Sequence, residues 1–211
     1  MAYLIKTPWW LSTLFYDKLV WKIPPTDKPA VYLTFDDGPH PTITPFVLTE
    51  LKKYNAQATF FCIGCNVTRH PDTYNQVIND GHTVGNHTYN HVNGWFSKTA
   101  HYLRNIAQAE KHIDSRLFRP PYGKIKRGQA NRLLMQQPSW KICMWDVLSG
   151  DFDTTITPEK CLDNVLANIE PGSIIVFHDS EKAFDRMSYT LPKVLEHCKA
   201  QGWEMKAIPQ D

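Results

Sequence analysis

From residue 30 almost to the end of the chain, short apolar runs alternate with segments in which apolar residues recur every three or four positions. Runs with strand character fall at 30–35, 58–63, 83–85, 117–119, 140–145, 173–177 and 203–208. Helical spacing predicts helices over 44–54, 71–80, 98–115, 128–136, 158–169 and 191–201. Strands separated by helices are joined by crossovers, so the pattern predicts parallel strands and an α/β architecture. Several runs, such as Ala30-Val31-Tyr32-Leu33, are continuously apolar, as strands covered on both faces must be. Seven such strands fit a closed or nearly closed barrel better than an open sheet with two solvated edges. In a (β/α) barrel the functional groups gather at the carboxyl ends of the strands.

No repeat, low-complexity tract or linker divides the chain, and a hydrophobic content of 42% over 211 residues is enough for one core. Pro24-Pro25 marks the one boundary, between an N-terminal segment, residues 1–29, and a single domain over 30–211. Within that segment residues 8–16 are apolar but too short to span a bilayer, and no small-residue cleavage site follows. They are expected to form a short amphipathic element packed on the domain, the alternatives being an interfacial anchor or a degenerate signal. No transmembrane segment and a cytoplasmic location are therefore expected.

The formal net charge is only +2, and the basic residues are scattered except for Lys124-Ile125-Lys126-Arg127, which argues against nucleic acid as a partner. Five cysteines, an odd number set mostly in apolar or amphipathic segments, suit a reducing compartment better than a disulfide scaffold.

Thr34-Phe35-Asp36-Asp37-Gly38-Pro39 sets two carboxylates side by side where the first apolar strand ends. Adjacent anions repel, and the pair makes sense if a cation neutralises one and leaves the other free to move a proton. His87-Thr88-Tyr89-Asn90-His91 has two imidazoles four residues apart, which on a helical turn share one face. Alone, such a pair reads as surface or capping histidines. Beside the two carboxylates, Asp37, His87 and His91 make a three-ligand N/O set with a position left open, as a catalytic metal site requires.

Arg119-Pro120-Pro121-Tyr122-Gly123 follows another short strand. It is either a rigid turn with a surface arginine or the source of a cation that pairs with Asp36 and orients it to accept a proton. The stretches Trp145-Asp146-Val147-Leu148-Ser149-Gly150-Asp151-Phe152-Asp153 and Val176-Phe177-His178-Asp179 each read as ordinary loops, but together they supply an Asp and a His for a second acid–base pair.

These five stretches, in this order, resemble the ordered motifs of the polysaccharide deacetylases, the NodB-like carbohydrate esterases, and the resemblance spans residues 30 to 208. It implies a distorted seven-stranded (β/α) barrel that holds one divalent metal, usually zinc, with Co2+, Ni2+ or Mn2+ as alternatives, on Asp37, His87 and His91. It also implies Asp36 as catalytic base, oriented by Arg119, and His178 as catalytic acid, hydrogen-bonded to Asp151. The backbone N–H at Tyr122 would help to bind the oxyanion, and Val176 would form the apolar wall for the acetyl methyl group. The implied substrate is an N-acetylated carbohydrate of the N-acetylglucosamine type.

Two positions depart from the family pattern: Phe152 stands where a Trp is usual, and Leu148 where a polar residue is. Phe keeps an aromatic wall but lacks the indole N–H donor, which bears on sugar specificity more than on the reaction. The alternatives are a cyclic imide or ureide amidohydrolase on the same fold, against which the Asp-Asp pair weighs, and a non-catalytic sugar-binding relative. Cys62-Ile63-Gly64-Cys65 closes a strand without a second cysteine pair and reads as structural thiols. Trp95-Phe96, with Tyr89 and Tyr122, reads equally as a stacking platform for a pyranose ring or as cover for the core. His40, directly after the Asp-Asp turn, is the remaining histidine nearest the chemistry.

Overall fold

The structure is a computed structural model that describes residues 3–11, 18–24 and 27–210. Its strands are β1 (Ala30–Asp36), β2 (Thr59–Cys62), β3 (Thr83–Asn86), β4 (Leu117–Phe118), β5 (Lys141–Ile142), β6 (Val147–Leu148), β7 (Ile174–His178) and β8 (Glu204–Met205). Its principal helices are α1 (Ile43–Lys53), α2 (Gly64–Arg69), α3 (Pro71–Asn79), α4 (Thr99–Glu110), α5 (Arg127–Leu134), α6 (Pro158–Leu166) and α7 (Phe184–Ala200). All strand pairs are parallel, in the order β5-β4-β3-β2-β1-β7-β6, with β8 attached to the beginning of β1. This is a curled α/β sheet of seven strands with helices between them.

β1 lies at the centre, and all seven of its residues are buried. Side chains alternate along a strand, so Val31, Leu33 and Phe35 meet the helices in the main core while Thr34 and Asp36 face the barrel interior. Phe35 stacks on Phe60 of β2 and Phe177 of β7, its register partners, at centroid distances of 5.0 and 5.9 Å. Burying each of these rings stabilises the fold by roughly 1.5–3 kcal/mol, and the three lock the strands on either side of the site. Helix starts follow ordinary rules: α6 opens with the Thr157 hydroxyl accepting from Lys160 N–H at 3.2 Å, with Pro158 in its first turn.

Two sequence expectations change. The seventh strand of the barrel is β6, hidden in what reads as a loop because only Val147 and Leu148 are apolar between Asp146 and Ser149; the 203–208 run contributes only β8. Helix α7 begins at Phe184 rather than 191, because Pro192 lies inside it and breaks the sequence signal where the helix continues.

No ladder joins β5 to β6 among the described residues. The N-terminal segment bonds to both edges instead: Val20 N–H donates to Ile142 O at 2.9 Å, Met144 N–H to Val20 O at 2.7 Å, Thr7 N–H to Asp146 O at 2.8 Å and Leu148 N–H to Ile5 O at 2.8 Å. Lys6 fastens this segment by ion pairs to Asp146 (2.7 Å) and Glu170 (2.9 Å). Covering both edges removes two open hydrogen-bonding templates. Of the expected amphipathic element over 8–16, positions 12–16 lie outside the described residues, and Trp9 is 77% exposed. None of the described helices is long and apolar enough to cross a membrane.

Candidate active site

The strand register brings the two key side chains together. Asp36, the last residue of β1, is the direct partner of His178, the last residue of β7. Adjacent partners in a parallel pair point to the same face, so carboxylate and imidazole emerge side by side at the carboxyl ends of the central strands.

Asp36 is buried, and its Oδ1 accepts from Arg119 Nη1 at 2.7 Å. Arg119 is wholly inaccessible and sits over the Phe61 ring, 4.1 Å from its centroid. It also donates to Thr34 Oγ1 (2.7 Å), Met144 O (2.9 Å) and Cys143 O (3.3 Å). A buried guanidinium is tolerated only with its donors satisfied, and these bonds aim it at the Asp36 carboxylate rather than at solvent. The surface-turn reading of Arg119 is therefore excluded.

Asp37, His87 and His91 present one ligand atom each, all within 4.8 Å of one another. Asp37 Oδ1 is buried without a hydrogen-bond partner among the described residues, 3.2 Å from His91 Nε2 and 3.7 Å from His87 Nε2. An orphaned buried carboxylate oxygen facing two imidazole nitrogens fits a cation, since an unpaired polar atom there is otherwise costly. The second ring nitrogens fit as well. His87 Nδ1 lies 2.8 Å from Arg119 O and must donate to it, which leaves Nε2 as the lone-pair atom facing Asp37. His91 Nδ1 lies 3.1 Å from Tyr122 Oη. Burial pushes His87 down to about 4, with the attraction of Asp36 too small to reverse it, so the ring is neutral and able to ligate near neutral pH. Burial lowers His91 too; burial also works against an ionised Asp37, but its neighbours, the charge of His178 first among them, hold its carboxyl below the usual carboxylate range.

The local geometry differs from a helical turn. His87–His91 is a loop in which Thr88 (φ 64°) and His91 (φ 53°) take left-handed conformations. Buried asparagines hold it: Asn86 Oδ1 accepts from Thr88 N–H at 2.8 Å, and Asn105 Oδ1 from Tyr89 and Asn90 N–H at 2.8 and 3.0 Å. The start of α2 ties it further, through Gly64 N–H to Thr88 O and Cys65 N–H to Tyr89 O, both 3.0 Å. Cys62-Ile63-Gly64-Cys65 thus closes β2, as expected, and also opens a short helix, and both thiols are free.

His178 Nδ1 donates to Asp151 Oδ1 at 2.7 Å, and its backbone N–H donates to Asp151 Oδ2, also at 2.7 Å. Asp151 is fully buried. Burial disfavours a charged His178, but the charge and hydrogen bond of Asp151, with smaller help from Asp37 and Asp36, outweigh it and push the imidazole up to about 10. Phe152 packs edge-on against His178 at 5.2 Å, and Tyr3 of the N-terminal segment packs on Phe152 at 5.1 Å while donating to Asp153 at 2.9 Å. The ring that replaces the usual Trp is therefore backed by a tyrosine from the other end of the chain. Nothing in residues 1–29 signals that contact, because it depends on how the segment crosses the sheet edge.

Val176 is buried on β7, opposite Leu148, two residues before His178 and so on the same face. Tyr122 is 60% exposed with φ 61°, and the N–H groups of Gly123 and Lys124 are taken by Pro120 O and Pro121 O. Trp95 and Phe96 are 55% and 84% exposed, not core cover, and Lys124 Nζ lies 5.4 and 5.9 Å from their ring centroids. His40 Nδ1 accepts from Ile43 N–H at 3.3 Å at the start of α1. A cleft of about 410 Å³ opens beside the triad, lined by Asp37, His91, Asn66, Asp179 and Lys182 among others. That volume suits a small ligand.

A curled (β/α) barrel with a cation-ready triad beside a buried carboxylate and an Asp-backed imidazole is the arrangement of a hydrolase. The family profile described as polysaccharide deacetylase matches residues 24–135. A peptidoglycan-N-acetylglucosamine deacetylase of Bacillus cereus is 32% identical over 198 residues, covering 91% of this chain and 92% of that protein. A chitooligosaccharide deacetylase of Azorhizobium caulinodans is 34% identical over 160 residues, 72% of this chain and 75% of that one. Among solved structures, a peptidoglycan N-acetylglucosamine deacetylase in complex with 4-naphthalen-1-yl-N-oxidanyl-benzamide superposes with a TM-score of 0.86 at 30% identity, over 96% of this chain and 95% of that one. The chain belongs to the polysaccharide deacetylase family.

Proposed function

We propose that this protein hydrolyses the acetamide of N-acetylglucosamine-type sugars in a glycan, with one divalent cation, zinc in the first instance, held by Asp37, His87 and His91. The observation that carries the reading is the convergence of that triad with Asp36 and His178 on register-paired strand ends. The deacetylases similar to this chain, acting on peptidoglycan and on chitooligosaccharides, support it.

A bound divalent cation would supply Lewis acidity toward water and the amide carbonyl. Asp36, oriented by Arg119, takes a proton from the attacking water as the oxygen–carbon bond forms. The Tyr122 N–H donates to the carbonyl oxygen as negative charge develops there. An amine anion is a poor leaving group, so His178 delivers a proton to the nitrogen as the carbon–nitrogen bond breaks, giving acetate and a free amino sugar. Val176 bounds the space for the acetyl methyl group. Phe152, backed by Tyr3, forms one aromatic wall, and exposed Trp95 and Phe96 offer stacking surface for a further sugar ring.

Acetate release from N-acetylglucosamine oligomers, peptidoglycan fragments and single acetylated sugars tests the proposal. Release from at least one of the glycans is expected with metal-loaded protein, and none from any of them would sink the reading.

The pH profile follows from the required protonation states. The base must be ionised, which gives an acid limb, and His178 must be protonated, so the rate falls as pH rises through its raised pKa. In Asp151→Asn the main group raising that pKa is lost. The alkaline limb is then expected to move to lower pH, with kcat at neutral pH reduced on the order of 10²-fold. A limb that stays in place would remove Asp151 from this role.

A further inference from the structure

Asp179 follows His178, is fully buried, and has no part in the chemistry above. Its carboxylate nevertheless gathers the turn that carries the base and a metal ligand. Oδ1 accepts from Gly38 N–H at 2.9 Å, and Oδ2 accepts from the Thr44 hydroxyl at 2.5 Å. Thr44 Oγ1 in turn accepts from His40 N–H at 2.8 Å, and the Asp179 N–H donates to Asp36 O at 3.1 Å. Residues 36, 38 and 40 are thereby all tied, directly or through Thr44, to Asp179.

The turn needs such a clamp. Asp37 is held at φ 83°, a left-handed conformation that a non-glycine residue keeps only when its surroundings over-determine it. On the far side Asn66 Nδ2 donates to Asp37 O at 2.8 Å and Ile63 N–H donates to Gly38 O at 2.9 Å. The approach is so close that a Cβ on Gly38 would fall 2.0 Å from Asp179 Oδ2. The carboxylate thus occupies the space that any other residue at 38 would fill.

We infer that Asp179, with Thr44, is the positioning residue of the cation site: it fixes the backbone at Gly38 so that the Asp37 carboxylate meets His87 and His91 while Asp36 stays against Arg119. The inference rests on the function proposed above. It predicts an effect on cation affinity, because ligand geometry depends on the groups that hold the ligands. A residue that merely fills the core would affect only unfolding.

The test is competition for Zn2+ with a chromophoric chelator, with thermal unfolding alongside, for wild type, Asp179→Asn, Asp179→Ala and Thr44→Val. Thr44→Val keeps the bond to Gly38 and is near-isosteric, so it remains informative if the Asp179 variants fold poorly. The Asp179 variants are expected to bind Zn2+ about 10- to 100-fold more weakly than wild type, with Thr44→Val in between. The visible spectrum of Co2+-loaded Asp179→Asn should be altered, and kcat should fall more than KM rises. Wild-type zinc affinity and an unchanged cobalt spectrum in folded Asp179→Asn and Thr44→Val would overturn the inference while leaving the proposed function standing. A wild-type protein that bound no zinc would overturn both.

Discussion

Asp36→Asn is expected to lower kcat by about 10²- to 10⁴-fold, the usual worth of a positioned general base, while the protein still binds its metal and keeps its fold. Asn is the informative change because it retains a side-chain oxygen for Arg119, whose guanidinium is buried and bonded to Asp36 at 2.7 Å. Deleting the partner outright, as in Asp36→Ala, would strand a buried charge at a cost of about 3–5 kcal/mol, and a loss of activity would then say little about proton transfer. With Asn, the shape of the side chain and an acceptor for Arg119 survive, while the basicity and the negative charge are lost. Zinc stoichiometry and unfolding temperature, measured beside acetate release, separate the two outcomes. Activity near wild type in a metal-loaded Asp36→Asn protein would overturn the assignment of the base.

Loss of a metal ligand is expected to be at least as severe. Of the three proposed ligands His87 is the most tightly built in: it is buried, its Nδ1 is committed to Arg119 O at 2.8 Å, and its Nε2 faces the orphaned Asp37 oxygen. His87→Ala should abolish stoichiometric zinc binding and with it acetate release. A Lewis acid contributes several kcal/mol to reactions of this type, and about 1.4 kcal/mol is a factor of ten in rate, so the fall should reach three orders of magnitude or more. His91→Ala should weaken zinc binding less steeply, because that ring is half-exposed and its second nitrogen rests on the exposed Tyr122 hydroxyl at 3.1 Å. Equal zinc affinity in His87→Ala and wild type would place the cation elsewhere.

How much of this is legible in the chain differs from one feature to the next. The Asp36-Asp37 pair announces itself, because two carboxylates at the end of a buried strand are electrostatically odd. Central strands are readable for the same reason that they are central: burial on both faces writes continuous apolar runs such as 30–35 and 173–177. Edge strand β6 is not readable, since a two-residue strand between Asp146 and Ser149 carries no periodicity. The pairing of Asp36 with His178 is a matter of register between strands far apart in sequence, and residue patterns alone suggest only that an acid–base pair exists. Family resemblance, rather than spacing, points to which histidine. The His87–His91 spacing does mark a pair of neighbouring rings, but two left-handed residues in a loop bring them together, not a helical turn. Least visible are groups that act through backbone. Asp179 reads as one more residue of a strand end, and only the fold reveals that its carboxylate holds Gly38. Tyr3 likewise reaches Phe152 because the N-terminal segment crosses the open edge between β5 and β6, a path that no short-range pattern encodes.

The central claim is that one cation on Asp37, His87 and His91 works with Asp36 to cleave an acetamide. Stepwise addition of Zn2+ to chelator-stripped protein, with acetate release from an N-acetylglucosamine oligomer followed at each step, tests it most directly. The predicted result is no release before metal is added, a rise that levels at one equivalent, and a flat line for Asp36→Asn despite the same zinc uptake. Undiminished release from the stripped protein would contradict it.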